Sequence, residues 1–155
     1  MVEYTSSSMH SFSRRRAIGA LFVSSTMIAC KSRASSAQRC ALCGMRVAPD
    51  SRFRAGATKD GRALSFDAPR CLFQYRSTAA GRGLSDPWVI EHYGPGELRT
   101  PARAVRYVRA SDVRGPMGPD LVPVAPGSVD RFRRDHGGLP ALEFDAVTDE
   151  IVRGL

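Results

Sequence analysis

Apolar and polar positions change rhythm along the chain. Residues 17–29 are almost continuously apolar, residues 31–39 are small and polar, and beyond them apolar positions come in short clusters between glycines, prolines and charges. The first run is too short to span a hydrocarbon core, which needs about 20 residues. The polar stretch has nothing to bury and reads as a tether. The clusters beyond it predict a strand over 45–53, a turn over 56–61, a second short strand over 63–66 and a helix over 69–78. Asp67 is the expected cap of that helix, Pro69 fits its first turn, and Cys71, Leu72 and Tyr75 share one side of it. Trp88, Val89 and Ile90 form the next strand.

The same order recurs downstream. Val105, Tyr107 and Val108 predict a strand, 121–124 another, and Ser128 caps a helix carrying Val129 and Phe132 that stops at Gly137-Gly138. Leu142 and Phe144 alternate as a further strand, and Thr148 caps a last short helix. Each half, about 40–95 and 96–155, thus reads strand, strand, helix, strand. Neither is long enough to bury its own sheet face, so two related ββαβ units are expected to pack as one α+β domain over 40–155.

The N-terminus changes the compartment. Arg14, Arg15 and Arg16 precede the apolar run, which ends in Met27-Ile28-Ala29-Cys30. A cationic block, an apolar block and small residues before a cleavage point are the parts of an export signal, here 1–29. The end of the run resembles a lipobox, which implies acylation of Cys30 and a chain held on the extracytoplasmic face of a bacterial membrane, with 30–39 as tether. The arginines also resemble a twin-arginine signal, so the export route stays open.

Charge adds little. The chain carries 23 Lys+Arg against 15 Asp+Glu, a net of +8, but the excess is spread out and lacks both zinc-finger spacing and basic-aromatic interleaving. No nucleic-acid partner is expected. The cysteines say more. They stand at 30, 40, 43 and 71, and acylation of Cys30 leaves an odd number that cannot pair fully within the chain.

Cys40-Ala41-Leu42-Cys43-Gly44-Met45 holds two thiols three apart and a thioether that Gly44 lets fold back. Thiolate and thioether together favour Cu(I) over hard cations, and one such pair alone argues against a closed zinc site. A disulfide or redox pair is the alternative. Met117, in Pro116-Met117-Gly118-Pro119, is a second soft atom in a loop, either a mobile ligand or an ordinary surface methionine. Cys71 reads first as a small buried hydrophobe and second as a ligand. His92 is preferred to His136 as an imidazole candidate, because a helix C-terminus already accounts for His136. Asp67 and Asp120 suit capping and turns better than Cu(I).

Cys43-Gly44-Met45, Phe66-Asp67, Cys71-Leu72 with Tyr75, Ala104 with Tyr107-Val108, Pro116-Met117-Gly118 and Gly137-Gly138, in that order, resemble the nitrous-oxide-reductase accessory lipoprotein family over roughly residues 40–147. The resemblance implies a periplasmic Cu(I)-binding lipoprotein whose two ββαβ units are similar to the metal-binding part of organomercurial lyase. It also implies that Cys43 and Met45 are copper ligands and that Met117 holds the place of the second family methionine. Cys40 departs from the pattern by adding a thiol, which tightens Cu(I) or forms a disulfide when metal is absent. The expected activity is carriage of Cu(I) to a copper enzyme such as nitrous oxide reductase or to a copper ABC transporter, without bond chemistry. The rival is a thiol-disulfide or organometal-processing enzyme using Cys40 and Cys43.

Overall fold

The computed structural model describes residues 38–155. The predicted export signal, Cys30 and most of the tether lie outside the described residues. Among the described residues no helix is long and apolar enough to cross a membrane.

Three strands of the first half and a fourth from just past the predicted boundary near 95 build an antiparallel sheet, and the first half adds one helix. β1 (Ala55–Lys59) and β2 (Arg62–Phe66) form a hairpin, β3 (Ser85–Ile90) lies on the other side of β1, and β4 (Arg99–Pro101) closes the order β2-β1-β3-β4. The hairpin corrects the predicted strand over 45–53 and turn over 56–61. The turn is Asp60-Gly61 alone, both at positive φ (49° and 72°), the conformation that matches the twist of paired strands. Gly56 belongs to the strand, opposite Trp88. A Cβ there would stand 2.5 Å from the indole, so glycine is required by the ring that crosses it.

α1 (Pro69–Ser77) follows β2 with Pro69 at its start, as predicted, but Asp67 does not cap it. Ala68 holds the cap position without a side-chain bond, and the Arg70 N–H donates instead to Asp120 Oδ1, fifty residues away, at 3.0 Å. This long-range acceptor satisfies one of the backbone donors that every helix start leaves open.

The second half repeats the plan in reduced form. β5 (Arg106–Val108) pairs with β8 (Val122–Val124), and Tyr107 and Leu142 exchange two backbone bonds of 2.9 Å on the other side of β5. The order 122–124, 106–108, 142 mirrors β2-β1-β3. The predicted strand through Phe144 shrinks to that single bridge because residues 144–146 turn into a 3-10 helix. Between β5 and β8 a small hairpin of β6 (Arg114–Gly115) and β7 (Gly118–Pro119) projects. α2 (Val129–His136) ends at Gly137 with φ 69°, and Ser128 makes no side-chain cap bond. Thr148 does cap α3 (Asp149–Arg153), accepting from the Ile151 N–H at 3.3 Å.

One core joins the halves. Phe66, Leu72 and Phe73 pack with Tyr107, Leu121, Phe144 and Val152 in a single buried cluster. Phe73 meets Tyr107 edge-on at 4.8 Å, a favoured aromatic geometry. Each of these large side chains contributes on the order of 2 kcal/mol through burial. The Tyr107 hydroxyl, fully buried, donates to the Ala102 carbonyl at 2.7 Å. The core therefore fixes β2, α1 and the root of the 114–119 hairpin against one another.

Candidate metal centre

Three segments converge at the start of α1. The first is a tight loop between Arg39 and Arg46, which form an antiparallel bridge. Inside it the Cys40 N–H donates to Met45 O at 2.8 Å, and the Gly44 N–H donates to Cys40 O at 3.0 Å. Gly44, at φ 74°, supplies the left-handed residue this reversal needs. The Ala41 N–H bonds Ser65 O at 2.9 Å and so fastens the loop to the end of β2. Cys40 faces inward and is buried, while Cys43 is exposed.

The second segment is the passage from β2 into α1, which carries Asp67 and Cys71, both buried. Cys71 lies in the first turn of α1, where the helix dipole favours negative charge on sulfur. The third segment is the β6–β7 hairpin, whose tip presents Met117, a residue 45% exposed.

Ligand atoms of Cys40, Cys43, Asp67 and Cys71 all lie within 4.8 Å of one another. Cys71 Sγ stands 3.9 Å from Cys43 Sγ and 3.9 Å from Met117 Sδ. The Cys43 thiol donates to Asp67 Oδ1 at 3.6 Å, and Asp67 Oδ2 is buried with no partner. Cys40, Cys43 and Cys71 are all unbridged.

The thiols are electrostatically unequal. Cys40 is lowered to about 6, chiefly because the Cys71 thiol stabilises its thiolate as a hydrogen-bond donor. The same contact with Cys40, followed by burial, pushes Cys71 strongly upward and keeps its proton on. Burial also raises Cys43. One ready thiolate thus sits beside two thiols that ionise only when something takes the place of their protons. A cation between the sulfurs does that.

The spacing fits a soft ion. Two sulfurs bound at about 2.3 Å to one three-coordinate ion stand about 4 Å apart, which matches both 3.9 Å separations around Cys71. An unpartnered buried Asp67 oxygen in the same cluster also calls for a positive neighbour.

Of the residues singled out in the sequence, Cys40, Cys43, Cys71 and Met117 are brought together. Met45 sits on the same loop, 42% exposed as a residue, with its carbonyl used to close the turn. His92 is placed elsewhere, packed edge-on against Tyr93 at 4.8 Å, Phe132 at 5.0 Å and His136 at 5.3 Å. Burial, and then His136, lowers its pKa. It takes no part in the cysteine cluster. Asp67, which the sequence suggests as a cap, is the member of the cluster that sequence reasoning misses. Its position four residues before Cys71, between a strand and a helix, is the available signal.

Fold and site define a small α+β domain with a cluster of soft ligands at its surface. The chain belongs to the NosL family, whose model matches residues 31–152. Among solved structures it is similar to the copper chaperone NosL from Shewanella denitrificans, with a TM-score of 0.63 and 21% identity, covering 74% of this chain and 92% of that one. At that identity the likeness concerns the fold. A search of curated protein sequences gave no match.

Proposed function

We propose that the protein binds one Cu(I) ion and hands it to a copper-accepting enzyme or copper transporter outside the cytoplasm, anchored to the membrane through Cys30. The observation that carries this reading is the pair of 3.9 Å separations from Cys71 Sγ, one to Cys43 Sγ and one to Met117 Sδ. Family membership and the similar copper chaperone support it. Soft thiolate and thioether donors select Cu(I) among cellular cations.

The residues divide the work of holding and release. Cys40 and Cys71, buried, form the fixed floor of the site, while Cys43 and Met117 are exposed where an acceptor's ligands can reach the ion. Asp67 holds the Cys43 proton in a hydrogen bond until the ion displaces it. Transfer then proceeds by ligand exchange, with the exposed pair yielding first. Met45, on the same loop as Cys43, is the further thioether within the family motif.

The test is anaerobic Cu(I) titration against a chromophoric chelator, followed by sulfur counting through X-ray absorption. We expect one Cu(I) per chain with at least three sulfur ligands, lost in Cys43→Ser and in Cys71→Ser. Unchanged stoichiometry in both variants would overturn the site. Insulin reduction by the metal-free dithiol form would favour the thiol-exchange alternative instead.

A further inference from the structure

Each of the three segments that build the candidate metal centre carries arginine. Arg39 and Arg46 stand on the cysteine loop, Arg70 precedes Cys71 in the first turn of α1, and Arg114 lies on the hairpin whose tip is Met117. Arg39, Arg46 and Arg114 are exposed and Arg70 is partly so. Residues 38–47, 68–76 and 113–119 contain no acidic side chain. The two acids beside them, Asp67 and Asp120, are buried. The positive excess is spread along the sequence, but here segments distant in sequence gather it around the exposed Cys43 and Met117.

Two of these placements work against local stability. Arg39 and Arg46 are direct partners in an antiparallel bridge, where like charges repel. The Arg39 guanidinium donates to Gly44 O at 3.1 Å, a bond that leaves its charge unneutralised. α1 has no acid in its first turn and a cation there instead, against the sign its dipole favours. None of the four arginines is ion-paired among the described residues.

Positive charge around soft ligands prescribes a partner. Cu(I) leaves by ligand exchange, so an acceptor must bring its own soft ligands up to Cys43 and Met117, and the exposed Met45 adds apolar contact on the same loop. A lipid headgroup or a nucleic-acid phosphate answers the charge but offers no ligand to the ion. A protein with carboxylates around its copper entry answers both. We propose that this arginine rim is the docking surface for such an acceptor, drawing the acceptor's acidic face onto the metal centre. The inference rests on the copper-transfer reading given above. Complementary charge of this kind raises encounter rates by about ten- to a thousandfold and fades with salt, which suits a partner that must arrive, take the ion and depart.

The test uses two synthetic acceptor peptides with one Cys-X-X-Cys core and a fluorophore that bound copper quenches. One is flanked by glutamates and the other by glutamines, and the two are matched for Cu(I) affinity by chelator competition. Transfer from the loaded protein is followed anaerobically by stopped flow at ionic strengths from about 0.01 M to about 1 M, where the Debye length shrinks from about 30 Å to about 3 Å. We expect the glutamate peptide to be loaded about tenfold faster at low salt, with the advantage gone at high salt. Arg46→Gln combined with Arg70→Gln should remove most of that advantage at unchanged Cu(I) affinity, because the Arg70 bond to Asp120 is made by its backbone N–H and survives. Equal rates for the two peptides at low salt overturn the proposal, and so does an advantage that the double variant keeps while its amide spectrum shows it folded.

A second arm uses the copper-free protein, in which the glutamate peptide should shift the amide resonances of residues 39–46 and 70–71 at low salt. Failure to load Cu(I) with these shifts present overturns copper carriage and leaves the docking surface. Loading without the shifts overturns the surface. Tighter binding to phosphatidylglycerol vesicles than to the glutamate peptide, lost in the double variant, assigns the rim to a membrane and overturns the proposal as well.

Discussion

The substitution Asp120→Asn should make the protein more stable at neutral pH and change nothing at pH 4. Asp120 is almost fully buried, and its carboxyl is raised by that burial from 3.8 to about 7, against the smaller opposing effects of the Leu121 and Arg70 N–H groups and the Arg70 charge. Asp67 adds a like charge, and Arg109 and Arg114 share the cavity beyond it. Because the folded pKa lies above the unfolded one, the native state holds the proton longer. The folded protein therefore carries no penalty below about pH 4, loses stability as the pH climbs from 4 to 7, and keeps the full penalty above that. Three units at about 1.4 kcal/mol each set a ceiling of roughly 4 kcal/mol. Relaxation and water in the adjoining cavity bring the expected effect to about 2 kcal/mol. The asparagine side chain keeps an Oδ1 acceptor for the Arg70 and Leu121 N–H groups and carries no charge, so the contact with the helix start survives. Urea unfolding of the reduced, metal-free protein at intervals from pH 4 to 8 measures this. The difference between variant and parent should grow by about 2 kcal/mol over that span. A difference that stays flat within about 0.5 kcal/mol, inside the scatter of such measurements, refutes the reasoning.

Three other outcomes follow from the same packing. Gly115→Ala puts a Cβ 2.5 Å from Asp120 Oδ2 and 3.1 Å from its Cβ, so the 114–119 hairpin must shift. Urea unfolding should show a loss of about 1 to 3 kcal/mol, and Cu(I) competition should show weaker binding because Met117 moves with the hairpin. Met117→Leu keeps the bulk and removes the thioether. Cu(I) affinity should fall about tenfold, equivalent to roughly 1.4 kcal/mol, with the unfolding midpoint of the metal-free protein unchanged. Tyr107→Phe deletes the 2.7 Å bond to Ala102 O and strands that carbonyl in the core. Chemical denaturation should register a cost of about 1 to 2 kcal/mol.

What the sequence reveals divides along the range of the forces involved. α1 is legible to within a residue because Pro69 and the 71, 72, 75 spacing are local signals. α3 is legible through Thr148 for the same reason. β1 escapes sequence reading because Gly56 and Gly61 look together like one long turn. Only Trp88, thirty-two residues on, shows that Gly56 is a strand residue making room for a ring. For the start of α1 the nearest acid is Asp67, yet the acceptor is Asp120, because the second half folds back over the helix start. The repeat of two ββαβ units is visible in the order of elements. The reduction of its last strand to a bridge at Leu142 depends on the 3-10 turn that places Phe144 beside Phe73. In the site, Cys71 reads both as core and as candidate ligand, and burial and membership of the cluster hold together. Of the rings around His92 only Tyr93 is its neighbour in sequence, and Phe132 and His136, from the second half, are brought in by the fold.

The placement of the proposed ligands shows why a two-unit fold would suit such a site. Cys40, Cys43 and Cys71 come from the first half, on a loop fastened to β2 and on the first turn of a helix packed into the common core. Met117 comes from the second half, on a hairpin with two residues in each strand and an exposed tip. Segments with few buried contacts open at far lower free energy than the core that supports them. A cluster assembled from one rigid wall and one lightly held arm therefore has unequal halves. In the proposed copper site, the wall would set where the ion sits and the arm how easily it leaves. Asp120 joins the two, holding α1 through Oδ1 while lying close against Gly115 at the hairpin's base. A change at Asp120 should therefore alter the rate of copper release more than the number of ions bound, whereas a change at Cys71 should do the reverse.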